Sequence, residues 1–305
     1  MRESIQRLTD NLSKAIVGKE HGIRLVLTAL LSGGHVLLED VPGVGKTLLA
    51  KSLASSIDGS FKRVQCTPDL LPTDVTGTNI WNPQTGQFEF LQGPVFANVL
   101  LADEINRATP RTQSALLEVM EEHQVTTDGV SRAVPDPFFV IATQNPVEYQ
   151  GTFPLPEAQM DRFSLSLSLG YPSVEEELQV LRRLQGNTAS PILQTCISLE
   201  EVVQLQQTCA TVRVLDDVQH YILDLVRTTR EHEDIRLGVS PRGSVALFRC
   251  SQALAFLKGR DFVQLDDVKE LAIAVLSHRI IPNSGHHASV LVQQLLDSVP
   301  NSVAA

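Results

Sequence analysis

Apolar residues gather into short, uninterrupted runs in the first half of this chain and into helical stripes in the second. The runs HVLLE (35–39), NVLLAD (98–103) and FFVIAT (138–143) are continuous rather than alternating, and FKRVQC (61–66) is read with them as a buried strand. That pattern predicts strands buried on both faces of a mainly parallel sheet. SLSLSL (164–169) alternates strictly, which predicts an edge or half-exposed strand. Helices are expected between the runs, one from near Gly45 and one from near Pro110, with Thr109 as N-cap and proline at the first helical position.

Two stretches break the strand-helix alternation. GTNIWNPQTGQFEFLQGP (77–94) carries β-formers on both sides of Asn82-Pro83-Gln84-Thr85-Gly86 and predicts an inserted hairpin. QVTTDGVSRAV (124–134) centres on Asp128-Gly129, a strong short-range hairpin signal. From about residue 171 onward only helical periodicity remains. Ser198-x-x-Glu201 forms a capping box, Ser240-Pro241 an N-cap followed by proline, and Leu265-Asp266-Asp267 leads into another periodic stretch. The shift near Gly170-Tyr171-Pro172 predicts an α/β domain over 1–170 and a smaller helical domain over 171–305. A chain of 305 residues is long enough for two cores.

Composition narrows the field. Hydrophobic residues make up 43% and charged residues 20%, and no apolar run approaches the roughly eighteen residues of a membrane span. The segment MRESIQRLTDNLSKAIVGKE is amphipathic, with Glu3 and Asp10 where an export signal would be apolar, so a cytoplasmic protein is expected. Cys66, Cys196, Cys209 and Cys250 form no Cys-x-x-Cys pair, and among eight histidines only His286 and His287 adjoin, which gives no expectation of structural zinc. A net charge of −10 opposes general binding to a phosphate backbone, though a local basic patch stays compatible with it.

HVLLEDVPGVGKTLLAKSLA sets a strand, a glycine-bearing turn and a helix in the order that aims backbone N–H groups and a helix N-terminus at one anion. Lys46 would then sit on terminal phosphates and Thr47 on Mg²⁺. The strict pattern wants glycine at position 40, where this chain has Asp40, so the match is to the Gly-Lys-Thr half. NVLLADEIN ends a buried strand in Asp103, fit to hold a water on that Mg²⁺, and Glu104, fit to orient the attacking water as general base. Strand alternation would instead turn one of these neighbours away, as a solvated charge pair. FFVIATQNP ends a third strand in Asn145, which suits either the same water and the γ-phosphate or a turn before Pro146. All three strand ends would meet at the carboxyl edge of the sheet.

Two arginines remain. Arg242 lies in the first turn of a predicted helix, where a cation opposes the macrodipole unless an anion is near. It suits either a phosphate or a surface pair with an acidic neighbour. Arg162 suits either a phosphate or a pair with Asp161 or Glu157.

The ordered segments EDVPGVGKT, LLADEINRATPRTQSALLEVMEE, IATQNPVEYQGTFPLPEAQMDRF and GVSPRGSVAL together resemble the MoxR family of AAA+ ATPases over nearly the whole chain. The resemblance implies a P-loop AAA+ core, its sheet sandwiched by helices, with an all-α lid. It implies ATP or ADP bound with Mg²⁺ at a Walker A loop over Gly43, Val44, Gly45, Lys46, Thr47 and Leu48, with Val17 and Gly18 beside the adenine. It further implies Walker B at Asp103 and Glu104, sensor 1 at Asn145, an arginine finger at Arg162 reaching a neighbour's nucleotide, and sensor 2 at Arg242. A ring, usually a hexamer, follows from the same likeness, as do a von Willebrand factor A domain partner and a client protein. In such proteins the two hairpins face the pore, so Trp81, Phe88 and Phe90 would grip a client or else pack on their own domain.

The expected function is an ATP-hydrolysing chaperone or remodeller. A nucleic-acid motor using the same core is opposed by the acidic charge and by Arg132 being the one basic residue of hairpin 124–134. A nucleotide-gated adaptor with little turnover is opposed by the presence of Glu104, Asn145 and Arg162.

Overall fold

The computed structural model describes residues 2–145, 151–185, 193–283 and 285–299. Two helices, α1 (Arg2–Ala15) and α2 (Glu20–Leu31), lead into strand β1 (Val36–Glu39), the phosphate-loop segment, helix α3 (Lys46–Ser56) and strand β2 (Phe61–Gln65). A short helix α4 (Pro72–Thr76) then opens the first hairpin, β3 (Gly77–Asn82) and β4 (Gln87–Gln92). Strand β5 (Val99–Asp103), helix α5 (Pro110–Glu122), the second hairpin β6 (Gln124–Thr127) and β7 (Val130–Ala133), and strand β8 (Phe139–Gln144) follow. A one-turn helix α6 (Glu157–Met160) precedes strand β9 (Leu165–Leu167).

The five sheet strands run parallel in the order β2-β5-β8-β1-β9, with the alternating SLSLSL segment on the edge, as its pattern suggests. The continuous apolar runs of β1, β5 and β8 are buried on both faces. By contrast β2, expected to be buried, is the other edge strand and buries only Val64, which is why its run tolerates Lys62, Arg63 and Gln65. Leu37, Leu100, Ala102, Val140 and Ala142 pack with Leu116, Leu117 and Met120 of α5. The alternate residues Val36, Leu38, Val99, Leu101, Phe139 and Ile141 pack with Leu8, Leu12, Ile23, Leu27, Leu49 and Leu53 on the other face.

That second core continues into the lid through Leu205, Leu247, Leu254 and Leu271. Beyond β9 the chain forms α7 (Val174–Gln185), α8 (Leu199–Cys209), α9 (Asp216–Glu231), strand β10 (Ile235–Leu237), α10 (Pro241–Leu257), α11 (Leu265–Leu276), strand β11 (Ile281–Pro282) and α12 (Ala288–Ser298). This part is helical, with one addition to the sequence expectation: β10 and β11 pair as an antiparallel ribbon. Segments of three and two residues are too short for any periodicity to register. The Ser198 capping box forms as expected, with Glu201 N–H donating to Ser198 Oγ at 3.2 Å and Ser198 N–H to Glu201 Oε2 at 2.9 Å.

Both hairpins form. Asp128 and Gly129 both take positive φ, 52° and 76°, the backbone a two-residue turn needs to match strand twist. Gly93 closes the base of the first hairpin: a Cβ there would lie 2.3 Å from the Val75 carbonyl oxygen. The hairpins also join each other, through Asn79 Nδ2 donating to Asp128 Oδ2 at 2.5 Å and Arg132 stacked 4.0 Å over Phe90. The aromatics divide between their two readings. Phe90 packs against Phe96, whereas Trp81 and Phe88 are exposed and stack edge-on with each other.

Candidate functional site

Three strand ends build one cleft at the carboxyl edge of the sheet. It has a volume of about 440 Å³ and is lined by Pro42, Gly43, Gly45, Lys46, Thr47, Leu48, Arg63, Gln65, Asp103, Glu104 and Asn145. Gly43 and Gly45 hold φ of +86° and +96°, and an added Cβ at either would meet nothing within 4 Å. Glycine is therefore required by backbone angle and not by crowding. Lys46 begins α3, and its Nζ donates to the Asp40 carbonyl oxygen at 2.9 Å, folding back over the loop.

Asp40, which stands where the strict phosphate-loop pattern has glycine, is buried. Its carboxylate accepts from Ser168 Oγ at 2.7 Å, Leu169 N–H at 2.5 Å and Gly170 N–H at 3.1 Å. A glycine could not make this clasp, which ties the end of β1 to the segment entering the lid. Buried charge is tolerable here because all its strong contacts are donors.

Asp103 ends β5 with Oδ1 accepting from Thr143 Oγ1 and Oδ2 from Arg63, both at 2.6 Å. Glu104 does not turn away, as strand alternation would have it. It leaves the strand in the left-handed region, with φ of 56° and ψ of 52°, while its N–H donates to Thr143 Oγ1 at 2.9 Å. A non-glycine residue held there costs of order 1 kcal/mol and brings both carboxylates to the same cleft. Glu104 Oε2 accepts from Gln65 Nε2 at 2.9 Å and from Arg107 at 3.1 Å. Cys66, one residue beyond Gln65, has its thiol pushed up to about 12 by burial and by the charges of Asp103 and Glu104, so it stays protonated and inert. Asn145 lines the cleft; Pro146, which its turn reading invokes, lies outside the described residues.

Val17, Gly18, Arg162 and Arg242 are not among the lining residues. Gly18 abuts α7: a Cβ there would fall 1.6 Å from Glu176 Oε1. Lys19 donates to the Tyr171 carbonyl oxygen at 2.8 Å and pairs with Glu176 at 3.7 Å. The segment from Ser168 to Glu176 thus runs from the Asp40 clasp to Gly18.

The two arginines meet each other instead. Arg162 pairs with Glu121 at 3.2 Å, and Arg242 pairs with the other oxygen of the same carboxylate. Neither sequence-near candidate, Asp161 or Glu157, takes Arg162: its ion pair is with Glu121, and Asp161 is occupied by Arg279 and Ser240. Sequence reasoning did not single out Arg63, Gln65, Thr143, Glu121 or Arg279. The first two could have been reached through register alone, since Gln65 pairs directly with Asp103 across β2 and β5.

Comparison with known proteins bears on the whole arrangement. Residues 35–165 match the family described as ATPases associated with various cellular activities (AAA), and residues 227–297 match an AAA lid domain. An uncharacterised Bacillus subtilis protein, YeaC, is 49% identical over 96% of this chain and 93% of its own. The chaperone MoxR1 of Mycobacterium tuberculosis is 42% identical over 91% of this chain and 76% of its own. A crystal structure from Cytophaga hutchinsonii, described as a candidate ATPase, superposes with a TM-score of 0.91 at 41% identity, covering 98% of this chain and 95% of that one.

Proposed function

We propose, from the premise that this chain belongs to the MoxR family of AAA+ ATPases, that it binds and hydrolyses ATP in the cleft and uses the cycle to remodel a partner protein. The observation that carries this is the meeting of the Gly43–Thr47 loop, Asp103, Glu104 and Asn145 in one cleft, with Glu104 held there by a left-handed backbone.

The loop N–H groups and the N-terminus of α3 receive phosphate oxygens, and Lys46 exchanges its bond to the Asp40 carbonyl for the terminal phosphates. Thr47 and Asp103 supply the hard oxygen donors that suit Mg²⁺, and no cluster of three His, Cys, Asp or Glu among the described residues offers a protein-only cage. The cation, when bound, offsets phosphate charge. Glu104 orients the attacking water and takes its proton. Gln65 and Arg107 both hold Oε2, which orients the carboxylate and leaves Oε1 to face the water. Asn145 holds the same water, and Val17 and Gly18 receive the base.

Arg162 and Arg242 share Glu121 outside the cleft of their own chain. One carboxylate between two guanidiniums leaves surplus positive charge. We assign both arginines to the nucleotide of an adjacent subunit in a ring, probed as a hexamer, with the division at 1–170 and 171–305 separating core from lid. The paired, exposed Trp81 and Phe88 of the first hairpin are the surface for a client, and a von Willebrand factor A domain protein is the expected cytoplasmic partner.

Phosphate release measured with Mg·ATP across a range of protein concentrations tests the proposal. Turnover per subunit should rise as rings assemble, since a site completed in trans is worth about 10³ to 10⁵ in rate. Negligible turnover at every concentration, with or without protein co-purified from the native host, would remove the hydrolytic reading.

A further inference from the structure

Arg279 is a deeply buried charged side chain with partners on all three of its nitrogens, and the cleft makes no use of it. It ends the single helical turn after α11, with its side chain 1% exposed. Its Nε donates to Asp161 Oδ1 at 2.8 Å, its Nη1 to the carbonyl oxygens of Ser164 at 3.2 Å and of Val275, and its Nη2 to those of Asp161 at 3.3 Å and Phe163 at 2.5 Å. Asp161 and Phe163 flank Arg162. One guanidinium from the lid therefore grips the backbone on both sides of the core arginine.

The same grip extends to Arg242. The second Asp161 oxygen accepts from Ser240 Oγ at 2.6 Å, and Ser240 Oγ in turn accepts from the N–H groups of Arg242 at 3.1 Å and Gly243 at 3.4 Å as the N-cap of α10. Gly243 is small for this reason: a Cβ there would meet Val239 Cγ1 at 2.3 Å and Arg279 Cδ at 2.9 Å. The first turn of α10 thus lies directly on the Arg279 stem.

A buried ion pair is weak support for stability, because apolar side chains of similar volume fill such a space at lower desolvation cost. What a planar guanidinium adds is a rigid fork that fixes several acceptors at once. Here those acceptors are the backbone and cap of the two segments that carry Arg162 and Arg242. The tips of both arginines then converge on Glu121, and Arg162 keeps a buried Nε without a partner, so Glu121 alone does not satisfy the pair.

We propose that Arg279 is a positioning residue for Arg162 and Arg242: acting through Asp161 and Ser240, it locks both to the lid so that lid movement displaces the two arginines together. This rests on the reading above that the pair serves an adjacent subunit's nucleotide. Arg279 touches no substrate.

The test uses full-length Arg279→Met and Arg279→Lys, with Arg162→Ala as reference. Nucleotide binding to the cleft, read by fluorescence of a labelled ATP, should stay within about twofold, while kcat falls by about 10²-fold, the scale of an ångström-sized misplacement. Lysine should not rescue, since it lacks the fork. Mixing Arg279→Met with Glu104→Gln subunits should restore turnover, because the second chain lends correctly placed arginines to the first chain's intact cleft. A subunit merely destabilised would not recover on mixing. If Arg162→Ala loses turnover and recovers on mixing while Arg279→Met keeps wild-type kcat, the positioning role is overturned and the trans reading stands. If Arg162→Ala keeps full turnover, the trans reading itself has failed and the proposal with it. Should Arg279→Met not fold, Ser240→Ala decides: a kcat loss restored by mixing supports the relay, and unchanged kcat overturns it.

Discussion

The cleft and the arginine cluster are assembled in different ways. In the cleft, each functional side chain is placed by its own stretch of backbone: Lys46 and Thr47 by a glycine turn, Asp103 and Asn145 by strand ends, Glu104 by one left-handed residue. In the cluster, placement comes from side chains far apart in sequence, with Arg279 on Asp161, Ser240 on Asp161, and Glu121 between Arg162 and Arg242. A site made by backbone is present in every isolated chain. One made by a bridge between lid and core can shift when the lid shifts, which suits the action on a neighbour proposed for the two arginines.

The largest effects should come from severing the two regions. Arg162→Ala should lower turnover by about 10³-fold or more with ATP binding intact, measured by phosphate release alongside equilibrium binding; equal loss of binding would place Arg162 in its own chain's cleft. Glu104→Gln should lower turnover by about 10² to 10⁴-fold and also keep ATP bound, and undiminished hydrolysis would remove its role as base.

A smaller effect concerns the sheet beneath both regions. His35 accepts from Val140 N–H at Nδ1, so its proton sits on Nε2, which donates to the Met120 carbonyl oxygen at 3.1 Å. Burial, chiefly, and the nearby His123 hold its pKa down to about 4. The unfolded chain binds the extra proton more readily between pH 6.5 and about 4, so stability is full above pH 6.5 and is lost as pH falls through that window. The most this linkage can remove is about 3 kcal/mol. Urea unfolding from pH 7.5 to 4.5 should show that decline, and His35→Gln should flatten it; an identical slope in the variant would assign the acid sensitivity elsewhere. Smallest of all, Asp40→Asn should cost about 1 to 3 kcal/mol by facing an amide N–H₂ against the donors of Ser168, Leu169 and Gly170, read as a drop in the urea midpoint. No drop would mean that water replaces the clasp.

The same contrast governs what the sequence alone reveals. Buried strands, both hairpins and the strand-end residues are legible because apolar runs, Asp128-Gly129 and the Gly-Lys-Thr turn act over a few residues. Strand alternation alone would turn one of the adjacent carboxylates away, since it takes no account of the left-handed turn at Glu104. Gln65 and Arg63 become site residues only through the parallel register of β2 on β5. Arg279, Asp161 and Ser240 are brought together across 79 and 118 positions, and no local pattern marks a residue whose partners are that remote. The seating of Asp40 explains the missing glycine in the same way: its partners lie 128 to 130 residues on.

The most direct measurement of the central claim is ATP turnover in mixtures of Arg162→Ala and Glu104→Gln subunits across a range of ratios. Each variant alone should be nearly inactive. The account predicts a turnover maximum at intermediate ratios, where the arginine of one chain completes the intact cleft of the other. Mixtures no more active than the sum of their parts at every ratio would contradict it.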